Sequence, residues 1–346
     1  MSVFKKIAIA DLDKLFAKTS EKMSIYVPTD NKDGDAVYTE WKDGVKLSDA
    51  VNTLRSAKDF FFPQTENLAG FKLVGKTIEM YRTAEEKEDF VLFGVRACDV
   101  KSFAILDSVF LADPVDTFYA ARREHGIVVA LACNDANDTC FCKTFGIDPA
   151  EPGADVSAWK NADEMFFKAN TDKGAAWLAS VSDVLEDAEN GEGVVADVKQ
   201  SINEMMSTLP LSGLTTESFD GKNLLEAFNS PEWKDLSSTC LGCGTCTFYC
   251  PTCQCYDIRE FDTGNGVKRF RCWDSCMYSD FTKMAAENPR HTQLERFRQR
   301  FMHKLVYYPM NNNGVYGCVG CGRCLAKCPI SMNIVKVMKT VGKEKA

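Results

Sequence analysis

An α/β N-terminal domain followed by a mainly helical C-terminal domain is the fold class this sequence predicts, and three observations predict it. Short apolar runs separated by helical periodicity fill the first 150 residues. After Pro231 the composition changes abruptly, to cysteine-rich loops alternating with helical segments. The charge changes there too: residues 236–346 hold 16 Lys and Arg against 8 Asp and Glu, a net of +8, which leaves −16 for residues 1–235 out of a total of −8. The expected domains are therefore residues 1–230 and 231–346, and 346 residues suffice for two cores.

Within the first domain, strands are expected at Ser24–Pro28, Phe71–Val74, Phe90–Val95 and Gly126–Ala132. The last two are continuous apolar runs, which suits strands covered on both faces. Helices are expected over 9–19, 48–57 and 99–110, the last with Asp99 as N-cap. The acidic stretch 148–235 should complete this domain with a strand or two and with helices near 173–188 and 194–207. In the second domain a basic, partly amphipathic helix is expected from Asn288 to Tyr308.

The C-terminal domain contains one cysteine spacing twice. Cys240, Cys243, Cys246 and Cys250-Pro251 form C-x2-C-x2-C-x3-C-P, and Cys318, Cys321, Cys324 and Cys328-Pro329 repeat it. Two-residue gaps let one tight loop place three thiolates around a 4Fe-4S cubane, while the fourth cysteine ligates the other cluster of a pair. The expected ligand sets are Cys240, Cys243, Cys246 and Cys328 for one cluster, and Cys318, Cys321, Cys324 and Cys250 for the second. A ferredoxin-like dicluster domain follows. A zinc site has no use for a third evenly spaced cysteine followed by Cys-Pro. Gly242, Gly244, Gly320 and Gly322 fit loops whose backbone must approach cluster sulfurs closely.

Eight of the 16 cysteines lie outside this repeat. Cys98 follows one buried strand and Cys133, Cys140 and Cys142 follow the next. Adjacent parallel strands would bring all four to one carboxyl edge, where α/β sheets assemble sites. A third 4Fe-4S cluster is the leading reading, with zinc or unligated thiols as alternatives. Cys253, Cys255, Cys272 and Cys276 lie between the two motifs, as candidates for a further cluster or metal, or as small polarizable packing residues.

Composition bounds the remaining classes. Hydrophobic residues at 45% and charged residues at 26% are ordinary for a globular chain. No apolar run approaches the roughly 18 residues of a membrane span, so no direct membrane insertion is expected. The N-terminal residues lack an apolar export signal, which makes a reducing, cytoplasmic compartment and metal-ligating thiols the expectation. No G-x-G-x-x-G or G-x4-G-K-[ST] motif is present, so neither flavin nor nicotinamide is expected on this chain; nor is nucleic acid expected as a partner. With only three histidines, His125, His291 and His303, the sequence marks no catalytic residue.

The combination of Phe60-Phe-Phe-Pro-Gln-Thr-Glu66, Gly94-Val-Arg-Ala-Cys98-Asp99, Tyr119-Ala-Ala-Arg-Arg-Glu124, Cys140-Phe-Cys142, Cys250-Pro-Thr-Cys253-Gln-Cys255, Trp273-Asp-Ser-Cys276 and Cys318-Val-Gly-Cys-Gly-Arg-Cys324 resembles the iron-sulfur beta subunit of cytoplasmic sulfhydrogenases. It is also similar to the corresponding iron-sulfur component of anaerobic sulfite reductase and to iron-sulfur subunits of flavin oxidoreductases that feed heterodisulfide reductase. That resemblance implies an anaerobic electron-transfer subunit, not itself catalytic. Its partners would be a flavin subunit oxidising NAD(P)H and a catalytic subunit of hydrogenase, sulfite reductase or heterodisulfide reductase type. The rival reading is a reductase whose own incompletely ligated cluster binds substrate. Cys272 departs from the family pattern, which sets it apart from Cys253, Cys255 and Cys276.

Overall fold

The computed structural model describes residues 4–219 and 224–342. The chain divides into two compact units, interleaved in sequence: the first comprises 1–57, 87–214 and 319–322, the second 58–86, 215–318 and 323–346.

The first unit is built on an eight-stranded sheet. Its strands are β1 (Lys5–Ala8), β2 (Ser24–Asp30), β3 (Ala36–Glu40), β6 (Phe90–Val95), β7 (Gly126–Leu131), β8 (Val156–Asn161), β9 (Glu164–Ala169) and β10 (Glu186–Asp187). They lie in the order β10-β1-β9-β8-β7-β6-β2-β3. The central pairs β2/β6, β6/β7 and β7/β8 are parallel, with Val91 opposite Ile127 and Val129 opposite Val156. The outer pairs are antiparallel. Helices cover the parallel strands: Leu12–Ser20 packs on β2, Ala97–Phe110 and Asp172–Ser180 on β7, and Gly191–Ser207 on β8. Leu15, Phe16, Ile25, Val27, Val91, Phe93 and Val129 are sealed in the resulting core. This explains the continuous apolar runs of β6 and β7, since a strand covered on both faces has no polar side to alternate with.

Two expectations fail here for local reasons. Residues 48–57 form no α-helix, because their backbone is engaged elsewhere: Ser48 N–H donates to Pro28 O, Leu54 N–H to Ala36 O, and the carbonyls of Ala50 and Val51 accept from the Arg96 guanidinium. The helix expected from Asp99 starts two residues earlier. Arg96 is its extended N-cap, and Asp99 sits buried in the first turn with its N–H donating to Arg96 O.

The second unit is not built of helices alone. It contains a four-stranded antiparallel sheet in the order β11-β12-β4-β5, made of two hairpins remote in sequence. They are β4 (Thr65–Val74) with β5 (Thr77–Arg82), and β11 (Tyr256–Asp262) with β12 (Gly266–Trp273). Thr65 pairs with Cys272 and Phe71 with Val267. The strand expected at Phe71–Val74 therefore belongs to this sheet and not to the α/β sheet. β5 is exposed at every position, and Leu73, Ile78, Met80, Ile258 and Phe261 stand in solvent. Around the sheet, Glu232–Ser238 packs on the helix Gln293–Met302 through Trp233 and Phe297, whose rings meet edge to face at 6.2 Å. That second helix begins at a capping box. Thr292 Oγ1 accepts from Glu295 N–H, and the Glu295 carboxylate accepts from Thr292 N–H. It continues through a π-helical turn, His303–Tyr307, to Asn311.

Candidate iron-sulfur sites

In the first unit, β6 and β7 are adjacent and parallel, so the segments leaving them share one carboxyl edge. Cys98 lies in the first turn of the helix that follows β6, 7% exposed. Arg96 ties that edge together: Nε donates to Val51 O at 2.8 Å and Nη1 to Ala132 O at 2.9 Å. Beyond β7, Cys133 N–H donates to Pro149 O and Cys140 N–H to Asn137 O, and a 3-10 turn, Cys142–Phe145, closes on Gly146.

This loop brings Cys133, Cys140 and Cys142 into one electrostatic neighbourhood. Burial pushes the Cys142 thiol up to about 12, and Cys133 and Cys140 push it the same way. Burial also raises Cys133, against the pull of Arg96, while Cys140 and Asp99 add to the rise. Arg96 and Asp99, which flank Cys98, thus both act on Cys133. Such thiols stay protonated unless a metal takes the proton's place. The segment 319–322 runs alongside: Gly320 O accepts from Phe141 N–H at 2.9 Å, and Asn52 Nδ2 donates to Cys321 O and reaches Cys140 Sγ at 3.9 Å. Gly320 has φ +60°, and a Cβ there would lie 2.4 Å from Phe141 O, so glycine is required.

In the second unit, Cys240, Cys243, Cys246 and Cys328 line a single cavity whose apolar wall includes Met277, Phe297, Phe301 and Ile330. Three come from the first motif and the fourth from the end of the second. The turns that follow the two motif loops, Thr245–Phe248 and Arg323–Ala326, pack together, which is how the remote fourth cysteine arrives. Donors already converge on the sulfurs: Gly242 N–H and Gln293 Nε2 reach Cys240 Sγ at 3.5 and 3.4 Å, and Thr245 Oγ1 lies 3.3 Å from Cys243 Sγ. The Thr245 hydroxyl holds the Cys243 thiol below its usual range. Gly244, at φ +76°, leaves room for the Tyr278 hydroxyl, which donates to Cys243 O at 3.2 Å.

Of the other repeat set, Cys250, Cys318 and Cys324 lie in the second unit and Cys321 in the segment assigned to the first. Cys250 is buried. The thiol of Cys253 donates to it, which holds Cys250 well below and Cys253 well above the ordinary thiol range. Cys255 and Cys276 form a second such pair, with Cys276 raised by the hydrogen bond and by burial. Cys253 acts on Cys255, and Cys276 on Cys246, so Cys246, Cys250, Cys253, Cys255 and Cys276 are neighbours. Cys272 stands apart on β12. Burial raises its thiol, and the charges acting on it are Arg259, Asp257 and Asp274. The structure thus divides the group of four into three and one.

Basic side chains that the sequence presents as surface charge are buried among these loops. Lys58 Nζ donates to Cys250 O at 2.9 Å and Cys253 O at 3.0 Å, and lies 3.8 Å from the Trp273 ring centroid. Lys304 Nζ donates to Thr252 Oγ1 and Gly317 O. Arg296 donates to Met277 O, Arg290 O and His291 O. Arg300 Nη2 donates to Cys246 O, while its Nε and Nη1 are buried without a hydrogen-bond acceptor. Burial works against the Arg300 charge, and Cys246, Cys253, Cys324 and Cys250 more than offset it. Lys58 carries no motif that could have marked it, and Arg300 and Lys304 read as one face of a basic helix.

A cubane fits this arrangement. Its thiolates and sulfides are anionic acceptors, the partners that buried guanidinium N–H groups lack here. Among the described residues no three His, Cys, Asp or Glu side chains come together as they would for a single ion. Cys240, Cys243, Cys246 and Cys328 instead line one cavity together. Also among the described residues, no helix is long and apolar enough to cross a membrane.

Residues 239–332 match the 4Fe-4S dicluster domain family, which establishes two 4Fe-4S clusters as the cofactors of this region. No solved structure matches the chain. Over 257 residues, 73% of this chain and 74% of the relative, the sequence is 34% identical to sulfhydrogenase 2 subunit beta of Pyrococcus furiosus. With a doubled cubane motif, a cavity lined by four of its cysteines and that extent of identity, the chain belongs to the sulfhydrogenase beta-subunit family of iron-sulfur proteins.

Proposed function

We propose that this chain relays electrons between a flavin subunit that oxidises NAD(P)H and a catalytic subunit of hydrogenase, sulfite reductase or heterodisulfide reductase type. The carrying observation is the cavity that unites Cys240, Cys243 and Cys246 with Cys328 from the far end of the repeat. When bound, each cluster supplies a one-electron carrier. The protein holds the thiolates, excludes water with Phe297, Phe301 and Ile330, and aims donors at the sulfurs. Cys240, Cys243, Cys246 and Cys328 hold the first cluster, and Cys318, Cys321, Cys324 and Cys250 the second. Cys98, Cys133, Cys140 and Cys142 hold a third, which makes the α/β unit one end of the relay. Flavin and nicotinamide stay on the partner, and the complex works in the reducing cytoplasm.

The separation of Cys272 supports a second reading. Cys253, Cys255 and Cys276 offer three thiolates, and a cluster on three cysteines keeps one iron open to a substrate. Reductase activity of the isolated chain with a chemical electron donor would select that reading over the pure relay.

Anaerobic purification should yield between eight and 16 iron atoms per chain, the range from two to four clusters of four irons. Fewer than eight after reconstitution would sink the paired assignment. Cys98→Ser or Cys140→Ser should remove one EPR-detectable centre and about four irons while leaving the ferredoxin-like pair. Co-purification under the same conditions identifies the two partner subunits.

A further inference from the structure

Arg300 and Lys304 are one helical turn apart on the segment between the two cluster motifs. They are 2% and 5% exposed, and neither forms an ion pair with a carboxylate among the described residues. Taking an unpaired cation out of water costs several kcal/mol, so such residues are retained only where a counter-charge meets them. The nearest ionisable groups supply the identity of that counter-charge. Around Arg300 they are Cys246 of the first cluster set, Cys250 and Cys324 of the second, and Cys253. Around Lys304 they are Cys250, Cys253, Cys318 and the like-charged Arg300.

The polar contacts separate the two roles. Lys304 is anchored by Thr252 Oγ1 at 2.7 Å and Gly317 O at 2.8 Å, both beside second-set cysteines. Arg300 has a single anchor, Cys246 O, and keeps Nε and Nη1 without a protein acceptor. A side chain with one arm fixed to a first-cluster ligand and two buried donors left over is built to reach an acceptor that the polypeptide does not provide.

From this geometry we infer that Arg300 is a cationic bridge between the two cubanes, with Nε and Nη1 donating to cluster sulfur, and that Lys304 is a second positive charge serving the Cys250/Cys318 centre alone. The inference rests on the two ligand sets proposed above. Each reduction adds one electron, from a reduced flavin or from dithionite, and therefore one negative charge to a centre. A fixed cation nearby stabilises that reduced form without a proton being taken up. Arg300 raises the reduction potential of both centres and Lys304 that of one. Both are positioning residues, since neither ligates iron.

The test is an anaerobic redox titration of the full-length protein followed by EPR, with iron counted on the same samples. Arg300→Met should lower the midpoints of both ferredoxin-like centres by at least a tenfold change in the one-electron equilibrium, 59 mV, at full iron content. Lys304→Met should lower only one by a comparable amount. Arg300→Lys, which keeps the charge and loses the fork, should hold both midpoints closer to the native values than Arg300→Met does. Midpoints unmoved in Arg300→Met at full iron, or equal shifts of both centres in Lys304→Met, overturn the inference. Should Arg300→Met fail to load iron, Arg300→Lys and Lys304→Met decide it by the same criteria. A native protein with fewer than eight irons would instead bring down the paired-cluster assignment beneath it.

Discussion

Glu66 and Arg271 show what a single buried contact does in this chain. Their side chains are each 4% exposed and lie 2.5 Å apart, opposite one another on β4 and β12. Arg271 also stacks over the Phe62 and Tyr256 rings. Removing one partner of such a pair leaves an uncompensated charge, at a cost of about 3–5 kcal/mol. Arg271→Met should therefore lower the urea midpoint sharply, and adding Glu66→Gln should recover most of the loss. Additive losses in the double variant would show that the pair is not coupled. At Gly320 the limit is steric. Alanine there meets Phe141 O and must hold a left-handed backbone costing about 1–2 kcal/mol, so Gly320→Ala should reduce iron bound at the centre proposed for Cys321 while sparing that proposed for Cys240. Iron analysis with EPR reads the difference. At this scale the sequence was informative where spacing carries chemistry: the doubled cysteine spacing marked the dicluster region, and four of its cysteines line one cavity. Lys58 and Arg300 were not legible, because burial of a long basic side chain is decided by tertiary packing that leaves no local pattern.

Elements were legible in proportion to how their burial repeats along the chain. β6 and β7 are covered on both faces and show as apolar runs. β11 is largely exposed and β12 is fully buried only at Arg271 and Trp273, so Tyr256–Trp273 has no alternating pattern strong enough to separate it from a loop, and the Gly264-Asn265 pair inside its turn is a short local feature. The segment 48–57 read as a helix because its periodicity was visible and its tertiary hydrogen bonds were not. In β4 and β5, Tyr81 pairs with Gly70 and its ring covers the glycine, with Lys72 Nζ 5.2 Å from the ring centroid. Tyr81→Ala should cost about 0.2–1 kcal/mol, with faster amide exchange confined to that hairpin. Exchange rising equally in the parallel sheet would contradict a local role.

For the whole molecule, the boundary at residue 230 drawn from composition differs from the division that the structure makes. Composition changes where the cysteines begin, but β12 takes its partner β4 from residues 65–74, and Lys58 reaches loops of the cluster segment. A fragment of residues 231–346 should accordingly fail to hold its clusters. It lacks half of a four-stranded sheet and the Phe62 surface on which Trp273 packs at 5.8 Å. Supplying residues 58–86 through a flexible linker should raise its iron content toward that of the intact protein, and equal iron with or without them would show that the hairpin is dispensable. The family assignment was legible from motifs alone, since it rests on residues whose chemistry fixes their spacing.

The interleaving of the hairpins has a consequence for synthesis on the ribosome. β4 and β5 emerge early, but β12, the neighbour that hydrogen-bonds to β4, lies beyond residue 255. At about 5–20 residues per second, the 183 residues between Arg82 and Gly266 take roughly 9 to 37 s to make. Throughout that interval β4 has an open edge and Leu73, Ile78 and Met80 stand in solvent, a combination prone to pairing with other chains. The nascent protein must wait with an unfinished sheet before its electron-carrying half can close, so its yield should depend on translation speed and on chaperones that shield strand edges.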